Sequence, residues 1–261
     1  MSIITLTTDF GRGSPYAGAM KGVILSINPA ATLVDVTHNV PPQDVAHGAL
    51  VLEEATPWFP DDTIHVAVVD PGVGTHRAIL YARIGTQHYI APDNGLLSRL
   101  MGRTRPALVV RLAEPEFWLK TVSATFHGRD IMAPVAARLS LGLDPRRLGP
   151  EVGQFTLLEW PEARWVNEKI RGQVIEIDSF GNLVTNIPAD MLAGRPTDTR
   201  ACIVFGIYET FGIYGAYAEQ TQGLLVGVVG SSGRVELAIV GDSAAVRLGI
   251  AVGAPVVIAW E

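Results

Sequence analysis

The apolar run Ile64-His65-Val66-Ala67-Val68-Val69 stops abruptly at Asp70-Pro71-Gly72. A short apolar stretch bounded by turn residues reads as a buried strand. Proline has no N–H to donate, and with Gly72 and Gly74 beside it the chain must leave the sheet in a tight turn. Asp70 therefore stands where a strand ends, which is where ligands bind in open α/β sheets. The residues before this run fix the kind of sheet. Ile3–Thr8 is a β-branched, half-alternating strand that ends in Asp9-Phe10-Gly11. A helix is predicted from Tyr16 to about Ile27, with Met20, Val23, Ile24 and Ile27 on one face and Asn28-Pro29 as its stop. Ala31–Val36 is a second strand, followed by a helix from Val45 to about Trp58. Strand, helix, strand, helix, strand is the pattern of a parallel sheet covered on both faces. Right-handed crossovers place Asp9, then Asp35 with His38, and then Asp70 on one sheet edge.

Strands follow at 78–82 and 87–91 around Gly85, and Pro92-Asp93-Asn94-Gly95 makes another sharp exit. Thr125-Phe126-His127-Gly128-Arg129-Asp130 leads into a helix predicted from Ile131 to about Leu141. The texture changes after about Gln154. From Ile170 onward only short strands with Gly-rich turns remain, at 172–177, 202–207, 224–229, 234–239 and 255–260, the pattern of an all-β sandwich or barrel. The expected organisation is an α/β domain over residues 1–160 and a β-barrel domain over residues 170–261.

Several function classes fall away. A net charge of −6 without a basic run disfavours nucleic acid. Cys202 is the only cysteine, so internal disulfides and Cys-based zinc sites are excluded, which fits a reducing cytoplasm. The first residues carry no signal-peptide pattern, and no stretch nears the roughly 20 apolar residues of a membrane span. The Gly227–Gly233 loop lacks the Lys-Ser/Thr of a P-loop, and no Gly-x-Gly-x-x-Gly follows the first strand. His65, His76 and His88 lie near Asp70 in sequence, yet no His-x-x-x-His pair appears, so neither a metal nor a cofactor is expected.

Asp70 alone reads as a turn cap, Arg77 as a surface arginine, and His127 as a capping or core histidine. On one edge together they form an Asp–Arg–His cluster able to orient a water and manage its proton.

Seven segments in order carry a resemblance: 8–11 (Thr-Asp-Phe-Gly), 20–23 (Met-Lys-Gly-Val), 35–38 (Asp-Val-Thr-His), 69–74 (Val-Asp-Pro-Gly-Val-Gly), 91–97 (Ala-Pro-Asp-Asn-Gly-Leu-Leu), 125–130 (Thr-Phe-His-Gly-Arg-Asp) and 178–183 (Asp-Ser-Phe-Gly-Asn-Leu). The chain resembles the S-adenosyl-L-methionine hydroxide adenosyltransferases, relatives of the fluorinases and chlorinases. The resemblance implies an α/β domain, a C-terminal barrel, and a homotrimer with sites between subunits. It also implies a reaction in which water or hydroxide attacks the ribose C5′ of S-adenosyl-L-methionine, giving adenosine and L-methionine. It makes Asp70, Arg77 and His127 the catalytic set and Asp9 the holder of the ribose hydroxyls. It gives Asp178 and Ser231 the methionine end, and Phe180 and Asn182 the adenine. Ser232 stands where many relatives carry an aromatic or Arg beside the methionine carboxylate, and Phe205–Thr221, rich in Gly and Tyr, matches no motif.

The halogenating relatives carry Tyr-Pro-Ala-Thr-Gly in place of Asp70-Pro71-Gly72-Val73-Gly74, Tyr-Ser or Tyr-Gly in place of His127-Gly128, and a long insertion that the interval Thr75–Ala91 has no room for. An aspartate at a halide pocket would repel the anion. The competing readings are a non-catalytic binder of S-adenosyl-L-methionine or adenosine and, more remotely, a halogenase.

Overall fold

The computed structural model describes residues 2–260, and the chain divides into two compact units between Leu158 and Glu159. The first unit contains β1 (Ile3–Thr8), α1 (Pro15–Ile27), β2 (Thr32–Thr37), α2 (Val45–Ala55), β3 (Ile64–Val68), β4 (Ile79–Ile84), β5 (Gln87–Pro92), α3 (Ser98–Arg103), β6 (Leu108–Arg111) and α4 (Ala133–Leu139). Its six strands form one sheet in the order β2-β1-β3-β5-β4-β6. The first four are parallel, β4 runs against them, and β6, antiparallel to β4, returns to their direction. β4 runs against β5 because only Gly85 and Thr86 separate their paired ends, too short a link for a parallel crossover.

Successive residues of β3 feed opposite cores. Val66 and Val68 join Met20 and Ile24 of α1 and Val135 of α4, whereas Ala67 and Val69 join Leu52 of α2 and Leu100 of α3. This two-sided burial is why the run reads as uninterrupted apolar sequence. Ser14 caps α1 by accepting from the Tyr16 amide, with Pro15 in the first turn, and Asp44 caps α2 through the His47 amide.

Two local expectations need correction. Asp35 does not end its strand: it lies inside β2, exposed, and binds Lys21 at 2.6 Å and His38 at 3.1 Å. β2 is an edge strand, so a polar side chain within it meets solvent. The helix expected from Ile131 also begins differently. Gly128–Met132 forms a π-helical turn, with the Ala133 amide bonded to the Gly128 carbonyl, before α4 proper begins.

The second unit contains β7 (Arg164–Val166), β8 (Lys169–Ile177), β9 (Leu183–Pro188), β10 (Ala201–Phe205), β11 (Tyr208–Phe211), β12 (Ile213–Tyr214), β13 (Leu225–Val229), β14 (Arg234–Ile239), α5 (Ala244–Leu248) and β15 (Pro255–Trp260). Its sheet runs β11-β10-β15-β8-β9-β14-β13-β12, with β7 beside β8. All pairs are antiparallel except β12 with β13. The sheet curls into a near-barrel. Thr210 on β11 donates its hydroxyl to the Leu225 carbonyl on β13 at 2.7 Å, and Ile170, Leu183, Ile203, Phe205, Leu237 and Ile258 fill the interior. Among the described residues, no helix is long and apolar enough to cross a membrane.

Candidate functional site

β1 and β3 are neighbours with Thr8 opposite Val68, so Asp9 and Asp70 leave the sheet from adjacent strand ends. The Asp70 turn closes through the Val73 amide to the Asp70 carbonyl at 3.2 Å and the Thr75 hydroxyl to the Gly72 carbonyl at 2.7 Å. Asn94 ties down its base by donating to the Val69 carbonyl at 2.8 Å. Gly74, at φ +80°, lies so close to the Ala124 carbonyl that any Cβ would collide with it. That approach brings the 70–77 turn against the segment leading to His127.

Arg77 folds back over the turn. Its Nε donates to Asp70 Oδ1 at 2.8 Å, and its Nη2 pairs with Asp70 Oδ2 and lies 3.1 Å from His127 Nδ1. The side chains of Asp70 and Arg77 are 5% and 10% exposed. A bidentate pair this well buried is strong and directional. His127 is held from behind. A Cβ at Gly128 would come within 3.2 Å of Met20 Sδ and 3.3 Å of Val68, so any larger residue would have to push these side chains back by a few tenths of an ångström for the π turn to pack onto the end of β3. Asp130, fully buried, accepts from the Ser123 amide at 2.8 Å and from Arg129 Nε at 2.6 Å, and the Arg129 guanidinium lies 4.9 Å from the Phe126 ring centre. Phe126 also packs edge-to-face with Phe10 and Tyr16, at centroid distances of 5.8 and 5.2 Å.

This arrangement sets the tautomer of His127. A guanidinium only donates, so Nδ1 accepts from Arg77 and the neutral ring carries its proton on Nε2. Burial, and after it the charge of Arg77, push the His127 pKa below its ordinary value against the pull of Asp70 and Asp130. Asp9 spends one carboxylate oxygen on the Gln43 amide at 2.8 Å.

The remaining sequence-predicted residues lie in the second unit, around a cleft of about 880 Å³. Asp178 follows β8 and organises its loop, with Oδ1 accepting from the Phe180 and Asn182 amides at 2.9 and 2.8 Å and Oδ2 from Asn182 Nδ2 at 2.8 Å. Phe180 is 78% exposed, an unusual position for a large apolar ring, and it lines the cleft together with Asp178, Asn182 and Ser231. Ser232 is absent from that lining, and its hydroxyl oxygen is buried without a hydrogen-bond partner. Tyr217 and Glu236 are cleft residues that sequence reasoning did not single out. Tyr217 lies in the 205–221 stretch that matches no motif. Glu236 lies on a strand whose alternate residues Val235, Leu237 and Ile239 face the barrel core, and the pattern alone does not show what the other face meets. Asn94 and Asp130 lie within recognised motifs, but their supporting hydrogen bonds depend on packing. Among the described residues, no group of three or more His, Cys, Asp or Glu is placed to hold a metal ion.

Residues 4–149 match the SAM hydroxide adenosyltransferase N-terminal domain and residues 172–257 its C-terminal domain. The chain belongs to the SAM hydroxide adenosyltransferase family. Members similar to it include the (R)-S-adenosyl-L-methionine hydrolase of Thermus thermophilus, 37% identical over 98% of this chain and 99% of that one. The hydrolase of the same name from Salinispora tropica is 38% identical over 96% of this chain and 95% of its own length. The family's halogenating branch is further away: the fluorinase of Nocardia brasiliensis is 27% identical over 71% of each chain. A crystal structure of an uncharacterized conserved protein from Thermotoga maritima superposes with a TM-score of 0.92 at 34% identity, covering 99% of this chain and all of that one.

Proposed function

We propose that this chain is an enzyme that hydrolyses S-adenosyl-L-methionine to adenosine and L-methionine, with water or hydroxide attacking the ribose C5′. The observation that carries the reading is the half-buried Asp70–Arg77–His127 array at the strand edge of a chain whose full-length relatives bear the hydrolase name. The sulfonium leaves as a neutral thioether, so the leaving group needs no acid. The task is to hold one oxygen in line with C5′, and such positioning is worth about 7–11 kcal/mol in favourable cases. Free water, with a pKa of about 15.7, also needs help losing its proton.

The three groups divide that task. Arg77 supplies fixed positive charge for the developing oxyanion. His127, neutral with its proton on Nε2, offers a donor that orients the water oxygen. Each Asp70 oxygen keeps a lone pair beyond the one given to Arg77, so Asp70 receives the proton. Asp9 holds the ribose hydroxyls. Phe180 and Asn182 receive the adenine, and Asp178 and Ser231, with Ser232 behind them, receive the methionine end. The proposed assembly is a homotrimer with sites between subunits, and light scattering on the active protein tests it: a fully active monomer would overturn it.

Incubation with S-adenosyl-L-methionine in water labelled with heavy oxygen tests the reaction. Adenosine labelled at the 5′-hydroxyl, together with L-methionine, is the expected result. A 5′-halo nucleoside, methylthioadenosine, S-adenosylhomocysteine, unlabelled adenosine or tight binding without turnover would each overturn it.

A further inference from the structure

The turn that carries Asp9 is gripped by the loop that follows β2. The Val40 amide donates to the Thr8 carbonyl at 3.3 Å, the Gly11 amide to the His38 carbonyl at 2.7 Å, and the Gln43 amide to Asp9 Oδ2 at 2.8 Å. Each of these bonds uses the backbone of the 38–43 loop, so it survives substitution of the loop's side chains. One side chain adds a further hold. His38 Nδ1 lies 2.9 Å from Thr8 Oγ1, and the same oxygen accepts from the Phe10 amide at 3.3 Å. Thr8 and Phe10 are the two residues that flank Asp9.

His38 is itself oriented from its far side. Its Nε2 lies 3.1 Å from Asp35 Oδ1, and Asp35 Oδ2 accepts from Lys21 Nζ at 2.6 Å. Burial works against the Asp35 charge, yet the hydrogen bond from Lys21 and the pull of His38 bring its pKa below the ordinary value. A carboxylate only accepts, so the neutral His38 ring keeps its proton on Nε2. Nδ1 then accepts from the Thr8 hydroxyl, whose oxygen stays free to receive the Phe10 amide. Every donor from the Phe10 amide to His38 Nε2 thus points outward to Asp35, and hydrogen bonds aligned in this way polarise one another. The Lys21–Asp35 pair, 32% and 39% exposed, contributes little to stability by itself. Edge-strand chemistry does not require the next step inward: His38 is only 16% exposed, whereas Asn39 beside it faces solvent.

We propose that His38 is a positioning residue for substrate binding: through the Thr8 hydroxyl and the Phe10 amide it fixes the bearing of the Asp9 carboxylate toward the ribose hydroxyls. The proposal rests on the reading of Asp9 as the ribose holder. Asp9 Oδ2 is engaged by the Gln43 amide, so the aim of Oδ1 depends on the backbone to either side of the residue. A misplacement of about 1 Å in a positioning group can cost about 100-fold in function. His38 acts through the turn, and Asp35 with Lys21 acts through His38.

Calorimetry with adenosine and 2′,3′-dideoxyadenosine tests this, because the second compound lacks both hydroxyls. The unaltered protein is expected to prefer adenosine by at least about tenfold. His38→Ala should weaken adenosine binding about tenfold and leave the dideoxy compound within about twofold, so the preference collapses. Thr8→Val, which removes the hydroxyl at nearly constant volume, should do the same. His38→Asn, which restores an acceptor for that hydroxyl, should recover most of the preference, and Asp35→Asn should cost less than His38→Ala. In an Asp9→Asn background, His38→Ala should change adenosine affinity by no more than about twofold, because the two residues act in series. With S-adenosyl-L-methionine, KM should rise in His38→Ala while kcat changes less. An undiminished preference in His38→Ala, or equal losses for both nucleosides, would overturn the proposal. If His38→Ala does not fold, Thr8→Val decides by the same ratio. An unaltered protein with no preference for adenosine would overturn the Asp9 reading and this proposal with it. Failure to release adenosine from S-adenosyl-L-methionine would sink the hydrolase reading alone, since the nucleoside affinities still decide the role of His38.

Discussion

The two clusters handle charge in opposite ways. In the first unit, Asp70 is clamped by Arg77 and the histidine beside them is kept neutral, so the array is balanced before anything binds. In the second, Glu236 and Asp178 share a wall whose described lining has no basic side chain. A balanced array suits a small neutral molecule such as water, which must be oriented without being trapped. An unbalanced cleft suits a ligand that brings its own positive charge.

Breaking the balance in the first unit should have the largest effect. Arg77→Ala leaves the Asp70 carboxylate buried without its partner, and loss of one member of such a pair costs about 3–5 kcal/mol. Chemical denaturation should read a loss of that order, and a change below about 1 kcal/mol would show that solvent already screens the pair. Asp70→Asn keeps the volume and removes the base. Turnover is expected to fall about 100- to 10,000-fold, with substrate affinity changed far less. Wild-type turnover would remove Asp70 from the chemistry.

Asp9→Asn sharpens the contrast from the substrate side. Loss of a charged hydrogen bond to the ribose should weaken adenosine binding by about 1.5–3 kcal/mol, and the 2′-deoxy nucleoside should then lose little more. Calorimetry that finds adenosine affinity unchanged would leave Asp9 as the partner of the Gln43 amide alone.

Acidity separates the two clusters more gently. His127 has a depressed pKa, so its contribution to folding is present above the ordinary value of 6.5 and is lost as the pH falls through its lowered value. Activity that needs the neutral ring should therefore persist below pH 6.5, and an acid limb of kcat/KM centred above that pH would contradict the tautomer assignment. Glu236 behaves in the opposite sense. Its raised pKa gives a contribution that is full at low pH and is lost as the pH rises through that raised value. Glu236→Gln should thus raise the melting temperature slightly at mildly alkaline pH and change it least in acid. A lower melting temperature across the whole range would mark Glu236 as structural.

How much of this was legible in sequence depended on whether neighbours along the chain or across it set the feature. β1, β3 and the turn at Asp70 were readable because a strand buried on both faces carries an unbroken apolar signature and Pro-Gly ends it. Arg77 was within reach because only seven residues separate it from its partner. His127, 50 residues further on, meets Arg77 only through the packing of Gly74 and Gly128, which no local pattern announces. Asp35 was misplaced because the polar end of a central strand and the polar face of an edge strand look alike in one dimension. Glu236 escaped notice because its strand neighbours Val235, Leu237 and Ile239 fill a core, and nothing in the local pattern marks what its own face meets.

The π turn at Gly128–Met132 carries one consequence for how the protein tolerates change. An α-helix advances by about 100° per residue, so each side chain's bearing is tied to those of its neighbours. The wider turn breaks that tie between His127 and the helix behind it. Val135 and Leu139 keep the phase that their core demands, and His127 keeps a different one. Substitutions that repack α4 can therefore accumulate without re-aiming the imidazole. Deleting a single residue within the turn would restore a regular helix and, because the π turn spends one extra residue on a single turn, leave the imidazole close to its present bearing.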